Sequence, residues 1–276
     1  MPLTLFDLVC ITKVELFDKK TGEERALEVH ACPQERGETT LFDSRFLLDS
    51  PSLFIELAPP RKDGGRWKFV LRAENLITIE TTFELGDSMT WTQALSSDRQ
   101  RYFYTHKTAG IQLFGQVTVL DKFNYECSSD ECLMLEDSVR SHMSYPFNYV
   151  YANAQQAGLS LVFSDGIGIE RTSNENFATT GSGVTAKITK LGHAVFASPD
   201  GFDSAIGKAY ITTMPLNGNY CKLEFTSQFT KKQNIYAVLL ALRQDAMYGY
   251  MKGKCVINNE KYDVDGWSFY EEVHWR

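Results

Sequence analysis

Glu175 stands between two amides, Asn174 and Asn176, just after the glycine-rich run Asp165-Gly166-Ile167-Gly168. A carboxyl group shielded from water in such a setting can hold its proton and deliver it to an alkene or a carbonyl, the step an alkene hydratase needs. The structural alternative is that the three side chains satisfy backbone groups where a strand bends, which Asn does well. Asp137 and Arg140 are three residues apart in a turn-rich segment. A carboxylate beside a planar donor fork can anchor a polar group at the mouth of a barrel, or it can pin the connection between two barrels. Lys107 shares one face of a strand with Phe103 and Thr105, while Tyr102, Tyr104 and His106 share the other. Facing a barrel interior it calls for a ligand partner; facing solvent, the commoner arrangement, it calls for none.

Other chemistries lack their residues. The five histidines are His30, His106, His142, His193 and His274, and none forms H-x-H, H-x-x-x-H or H-E-x-x-H. No metal site is expected. No glycine-rich phosphate loop precedes a helix, no G-x-S-x-G elbow is present, and no cofactor is expected. The six cysteines are scattered without a C-x-x-C pair, and the expectation is six reduced structural thiols. Ser128, Ser129 and Asp130 read as a turn, which leaves a Cys127–Cys132 disulfide as the alternative.

Composition narrows the class further. The chain has 276 residues, 43% hydrophobic and 23% charged, with a net charge of −7. These are proportions of a folded protein, and the acidic balance with dispersed basic residues argues against nucleic acid as a partner. No run of about 18 apolar residues is present to make a membrane-spanning helix. The N-terminal residues show neither a secretory nor a transit pattern, so the expectation is a soluble, intracellular, cytoplasmic protein, with organelle import by an atypical signal left open.

The elements that must position these residues are strands. In Leu76 to Leu85, Ile77, Ile79, Phe83 and Leu85 alternate against Thr78, Glu80, Thr82 and Glu84. The same period runs through Gly115–Cys127, Tyr220–Phe229 and Arg66–Leu71. Ile235–Leu242 reads as a strand buried on both faces, and Lys254–Val264 as a hairpin turning near Asn258-Asn259. No stretch keeps a helical period over three turns. Many strands with turn signals at Asp18–Gly22, Lys62–Gly65, Pro199–Gly201 and Asn217–Asn219 imply antiparallel sandwiches or barrels. The segment Ser128–Tyr145 divides the chain into two β units, 1–135 and 136–276.

Four groups of residues resemble a known family. They are Phe103-Tyr-Thr-His-Lys107 with Gly115-Gln-Val117; Asp137-Ser-Val-Arg140 followed by Pro146, Tyr149 and Tyr151; Gly158-Leu-Ser-Leu through Asp165–Gly168, Asn174–Asn176 and Lys190-Leu-Gly192; and Gly249-x-x-x-Gly253 through Gly266 and Glu271 to Trp275. Together, over roughly residues 100–276, they are similar to the domain of unknown function 2804 family, which groups with lipocalin-like two-barrel proteins and distantly with carotenoid hydratases. The family pattern has Gly where Ser141 stands and tryptophans where Tyr149 and Tyr151 stand. The resemblance implies two lipocalin-like antiparallel barrels or sandwiches packed in one compact all-β chain.

The expected function is binding of a hydrophobic small molecule in such a barrel, with acid–base chemistry of the hydratase or isomerase type. Glu175 and Asp137 are the catalytic candidates, and Arg140, Asn176, Lys107, Tyr149 and Tyr151 the ligand-binding ones. The alternative is a non-catalytic structural subunit whose partners are other protein subunits. Open apolar space around a buried carboxylate favours the first, and a barrel filled by its own side chains favours the second.

Overall fold

The computed structural model describes residues 12–18, 20–36, 42, 44–60, 65–94, 102–128, 132–142, 147–167, 175–198, 207–237 and 240–275. Among these the chain is built from antiparallel strands, and the one helical piece is a 3-10 turn at Gly183–Thr185. No helix among them is long and apolar enough to cross a membrane. The all-β expectation holds.

Two units divide the chain. The first comprises residues 1–85 and 111–138, the second residues 86–110 and 139–276. This differs from a single cut at 135/136, because 86–110 goes with the second unit. The local reason is polar: Asp87 N–H donates to the Ala186 carbonyl at 3.2 Å, and the Asp87 carboxylate accepts from Ile188 N–H at 3.3 Å.

In the first unit β1 (Thr12–Phe17) pairs with β2 (Glu24–Val29). A six-stranded sheet is ordered β10-β9-β6-β5-β4-β3, from β3 (Phe46–Asp49), β4 (Leu53–Ala58), β5 (Trp67–Ala73), β6 (Ile77–Phe83), β9 (Phe114–Val119) and β10 (Phe123–Cys127). The alternation in β6 resolves as read: Phe83 is fully buried, while Glu80 on the other face pairs with Arg72 at 2.6 Å. The stretch Gly115–Cys127, read as one strand, is instead a hairpin broken at Leu120–Lys122. Leu120 and Asp121 adopt left-handed φ of 53° and 52°, which brings Val119 opposite Phe123.

A three-stranded sheet is ordered β11-β8-β7, from β7 (Met89–Ala94), β8 (Tyr102–Gln112) and β11 (Leu133–His142). The part of Ser128–Tyr145 read as turn-rich is therefore largely strand. Period-two alternation tolerates polar residues on an exposed face, which hid β11 among its turn-forming residues.

The second unit holds a curled nine-stranded sheet ordered β15-β14-β13-β12-β20-β19-β18-β17-β16. Its members are β12 (Phe147–Gln156), β13 (Leu159–Ile167), β14 (Phe177–Thr180), β15 (Lys187–Lys190), β16 (Ala194–Ala197), β17 (Lys208–Thr213), β18 (Tyr220–Ala237), β19 (Leu240–Ile257) and β20 (Glu260–Trp275). The stretch Ile235–Leu242, read as a strand buried on both faces, is split between β18 and β19, with Ala237 opposite Leu240. The turn at Asn258-Asn259 forms as read, with φ of 53° and 68°. Gly253 is required, because its φ of 148° is hostile to a side chain and a Cβ there would collide with the Lys222 carbonyl.

Alternation gives this sheet two distinct faces. The inner face carries Ala152, Leu161, Phe163, Phe225, Met247, Met251 and Tyr270, a core of buried side chains. Tyr270 stacks on Phe225 with ring centroids 5.3 Å apart and meets Phe196 edge-on at 6.0 Å. Burial, reinforced by the charge and hydrogen bond of Glu272, pushes the Tyr270 phenol well above its ordinary pKa.

The thiol expectation is overturned. Cys127 is bonded to Cys132, Cys221 to Cys255, and Cys32 is also disulfide-bonded. Cys221 and Cys255 face each other across β18 and β19 with Cα atoms 4.1 Å apart. That pairing is set by register between residues 34 apart in sequence, which spacing could not show.

Two predictions follow from this architecture. The Cys221→Ala/Cys255→Ala double variant should lose about 2–4 kcal/mol of stability by denaturant titration, and reductant should lower the melting temperature of the wild type but move the variant less. An unchanged midpoint in both would refute a stabilising crosslink. In the first unit, Arg45 and Lys68 reach Glu56 at 2.6 Å and 3.2 Å, and the Arg45 hydrogen bond lowers the Glu56 pKa below its ordinary 4.5. The stability this adds is complete above about pH 4.5 and is lost as pH falls through the lower folded value. Glu56→Gln should flatten that acid limb in melting temperature against pH.

Candidate acid–base site

Strand β8 lies against the outer face of the curled sheet, within the second unit. Residues 105–110 are all buried. Gly110 takes a left-handed φ of 73° here, and a Cβ there would lie in ordinary contact with the Ser160 hydroxyl and the Thr179 methyl at 3.5 Å each. By register, the outer face beneath β8 carries Tyr151 on β12, Ser160, Val162 and Ser164 on β13, and Phe177 and Thr179 on β14. All six are buried, so this face forms a second packed layer opposite the inner core.

Lys107 enters that layer. Its Nζ lies 3.5 Å from Glu175 Oε2, and the two side chains are only 4% and 5% exposed. The same ammonium sits 4.9 Å from the centroid of the Tyr151 ring. Of the two arrangements open to Lys107, the fold takes the buried one. Moving both charges out of water carries a large desolvation penalty, and their attraction offsets it only when hydrogen bonds and packing complete the shell. The face of Tyr151 adds favourable quadrupole attraction for the cation.

Asn176 holds the carboxylate side of the pair in place. Its Oδ1 accepts the Ser164 backbone N–H at 3.0 Å, and its carbonyl accepts Leu191 N–H at 2.8 Å. These bonds anchor the entry into β14 and fix Glu175 one residue earlier. The Tyr151 hydroxyl accepts from Asn153 Nδ2 at 3.3 Å. On the opposite face of β8, His106 is bracketed by the Thr90 hydroxyl at 2.8 Å from Nδ1 and the Thr108 hydroxyl at 3.4 Å from Nε2.

Four of the seven expected residues, Glu175, Lys107, Asn176 and Tyr151, lie together here. Tyr149 is half-buried, two residues along β12 on the same face as Tyr151. Asp137 is not brought into this layer. Asp137 is exposed on β11, and the Arg140 side chain lies outside the described residues, as does Asn174. The segment read as turn-rich around Asp137 is strand β11.

One carboxylate at this site was not among the candidates. Glu271 lies directly across from Tyr151, is 8% exposed, and accepts a hydrogen bond from Gln244 Nε2 at 2.5 Å. An acidic residue on the apolar-alternating strand before Trp275 was its signal in the sequence. Among the described residues, no group of three or more His, Cys, Asp or Glu side chains is placed to hold a metal ion.

The family whose sequence profile is described as Domain of unknown function (DUF2804) matches residues 43–276. The chain belongs to this family. The match extends the likeness seen from about residue 100 back into the first unit. Among solved structures, kievitone hydratase from Nectria haematococca is similar over 97% of this chain and 80% of its own, with a TM-score of 0.59 and 10% identity. CghA with Sch210972 is similar over 91% and 76%, with a TM-score of 0.51 and 10% identity. At such identity these likenesses speak to the fold alone. No curated protein sequence matches the chain.

The buried pair makes a clear stability prediction. Lys107→Met should destabilise by about 3–5 kcal/mol, because it removes a buried ammonium paired with Glu175. The double variant Lys107→Met/Glu175→Leu should recover most of that loss. Denaturant titration of the four proteins in this cycle measures the coupling, and simple additivity would show that the two charges do not depend on each other.

Proposed function

We propose that this chain binds an apolar small molecule at the Lys107–Glu175 layer and transfers protons on it, as a hydratase or isomerase would. The carrying observation is that a lysine and a glutamate, 4% and 5% exposed, sit 3.5 Å apart beside an aromatic face. Buried ion pairs contribute little net stability, so one kept at this cost is a candidate for chemistry. Solved neighbours of this fold include a protein named as a hydratase, which supports the same class.

The pairing shifts Glu175 from the donor role read in sequence to an acceptor that later returns its proton. The Lys107 ammonium polarises the carbonyl of an unsaturated substrate. The Glu175 carboxylate takes a proton from water as the hydroxide adds to the far alkene carbon. The resulting enolate takes that proton back at carbon, so water has added across the double bond and both side chains are restored. Tyr151 covers the ammonium and keeps solvent from it.

A second reading, the non-catalytic subunit, draws on the inner face of the curled sheet. Phe163, Phe225 and Tyr270 fill it, each under 2% exposed. A ligand would then have to sit on the outer face, at the layer described above, or not bind at all. On location, the disulfides favour an oxidising compartment over the cytoplasm expected from the sequence.

Glu175→Gln decides between them. It should lower stability, as breaking a buried pair does, yet in the folded protein keep ligand binding while turnover of an α,β-unsaturated ketone falls roughly 10²–10⁴-fold. No ligand bound by either wild type or variant would favour the structural subunit.

A further inference from the structure

The six-stranded sheet of the first unit ends on β10, and among the described residues no strand adds to its outer side. At the other edge, Glu35 bridges to Leu47 on β3, and Gln34 N–H donates to the Leu47 carbonyl at 2.8 Å. β10 has no such cover. Phe123 and Tyr125 are 53% and 56% exposed, and Lys122, Asn124 and Glu126 are exposed as well. Among the described residues, nothing pairs with the Lys122 ammonium or the Glu126 carboxylate.

Alternation sorts these residues into two sets. Phe123 and Tyr125 lie opposite Val119 and Val117 on β9 and share their face of the sheet. Val117 packs against the buried cluster of Phe83 and Ile111, so the two rings carry an apolar face out to an open edge. Asn124 and Glu126 leave by the other face, and Lys122, the residue before the strand, continues that set. An edge strand presents a row of unpaired N–H and C=O groups, and exposed apolar side chains on it invite another strand unless charge forbids one.

Here the charges suit a second copy of the same strand. Lys122-Phe123-Asn124-Tyr125-Glu126 is its own complement when reversed. Antiparallel pairing centred on Asn124 sets Lys122 opposite Glu126 and Phe123 opposite Tyr125, each twice by symmetry. Opposite charges and aromatic pairs directly across a ladder are both favourable. Centring the pairing on Phe123 or on Tyr125 loses both ion pairs, and an in-register parallel pairing sets like charges face to face.

We infer that β10 is a homodimer edge: a second copy adds its own β10, antiparallel and centred on Asn124, and the two six-stranded sheets become continuous. Such a two-fold contact uses the same patch on both copies and closes at the dimer. It lies in the first unit and does not depend on the proton-transfer reading.

Sedimentation equilibrium of the whole chain, from about 1 µM to 1 mM, tests this. The wild type should pass from monomer to dimer as its concentration rises. Lys122→Glu and Glu126→Lys should each weaken the dimer roughly 10-fold or more, because each sets like charges opposite one another at both ends of the pairing. The double reversal Lys122→Glu/Glu126→Lys should restore the dimer, and so should an equimolar mixture of the two single variants. Both side chains are exposed, so melting curves across the set should agree and separate lost pairing from lost folding. A wild type that stays monomeric throughout would leave the edge to another protein's strand and overturn the inference. So would a dimer indifferent to charge reversal, or single variants that stay apart when mixed.

Discussion

In the second unit everything depends on the two-residue alternation of one curled sheet. Because successive side chains on a strand leave by opposite faces, the residues that fill the inner core cannot also take part in chemistry outside it. Phe163, Phe225, Met247 and Tyr270 commit the inner face to packing. The outer face is left to Tyr151, Ser164 and Glu271, and β8 brings Lys107 down onto it. A shift of register by one residue on β12 would exchange Tyr151 for Ala152 and dissolve the site and the core together.

The buried charges are affordable because they arrive on backbone that is already fixed. Lys107 sits in a run of buried β8 residues, and Glu175 precedes an asparagine whose side chain and carbonyl are both tied to neighbouring strands. Little freedom remains to be lost when the two groups meet, so their attraction is not spent on ordering them. The glycines serve the same end from the other direction. Gly110 supplies the left-handed φ of 73° that β8 takes beside β13 and β14, and Gly253 lets β19 lie close to β18.

The disulfides show how far a local reading extends. Cys127 and Cys132 are near enough in sequence for a turn between them to suggest their bond, and the structure makes it. Cys221 and Cys255 are joined only because a long hairpin places them opposite one another. That hairpin was not legible, because its reversal falls within Ile235–Leu242, read as one strand, with Ala237 opposite Leu240, while the turn read at Asn258-Asn259 joins β19 to β20. The pairing of Tyr220 with Val256, from which the register follows, was not legible either.

The sequence alone determined that the chain is built of strands, where several turns fall, and which family it resembles. Those features are written in alternation, in Asn and Gly at left-handed positions, and in short motifs, all of them local in the chain. It also picked out Glu175, Lys107, Asn176 and Tyr151 one by one. Only the tertiary structure decided that these four share a buried layer, while Asp137 is exposed on β11. It alone decided that Lys107 is buried and that Glu271 joins Tyr151. The reason is physical: alternation tells which residues share a face, but which face is covered depends on strands paired from distant parts of the chain.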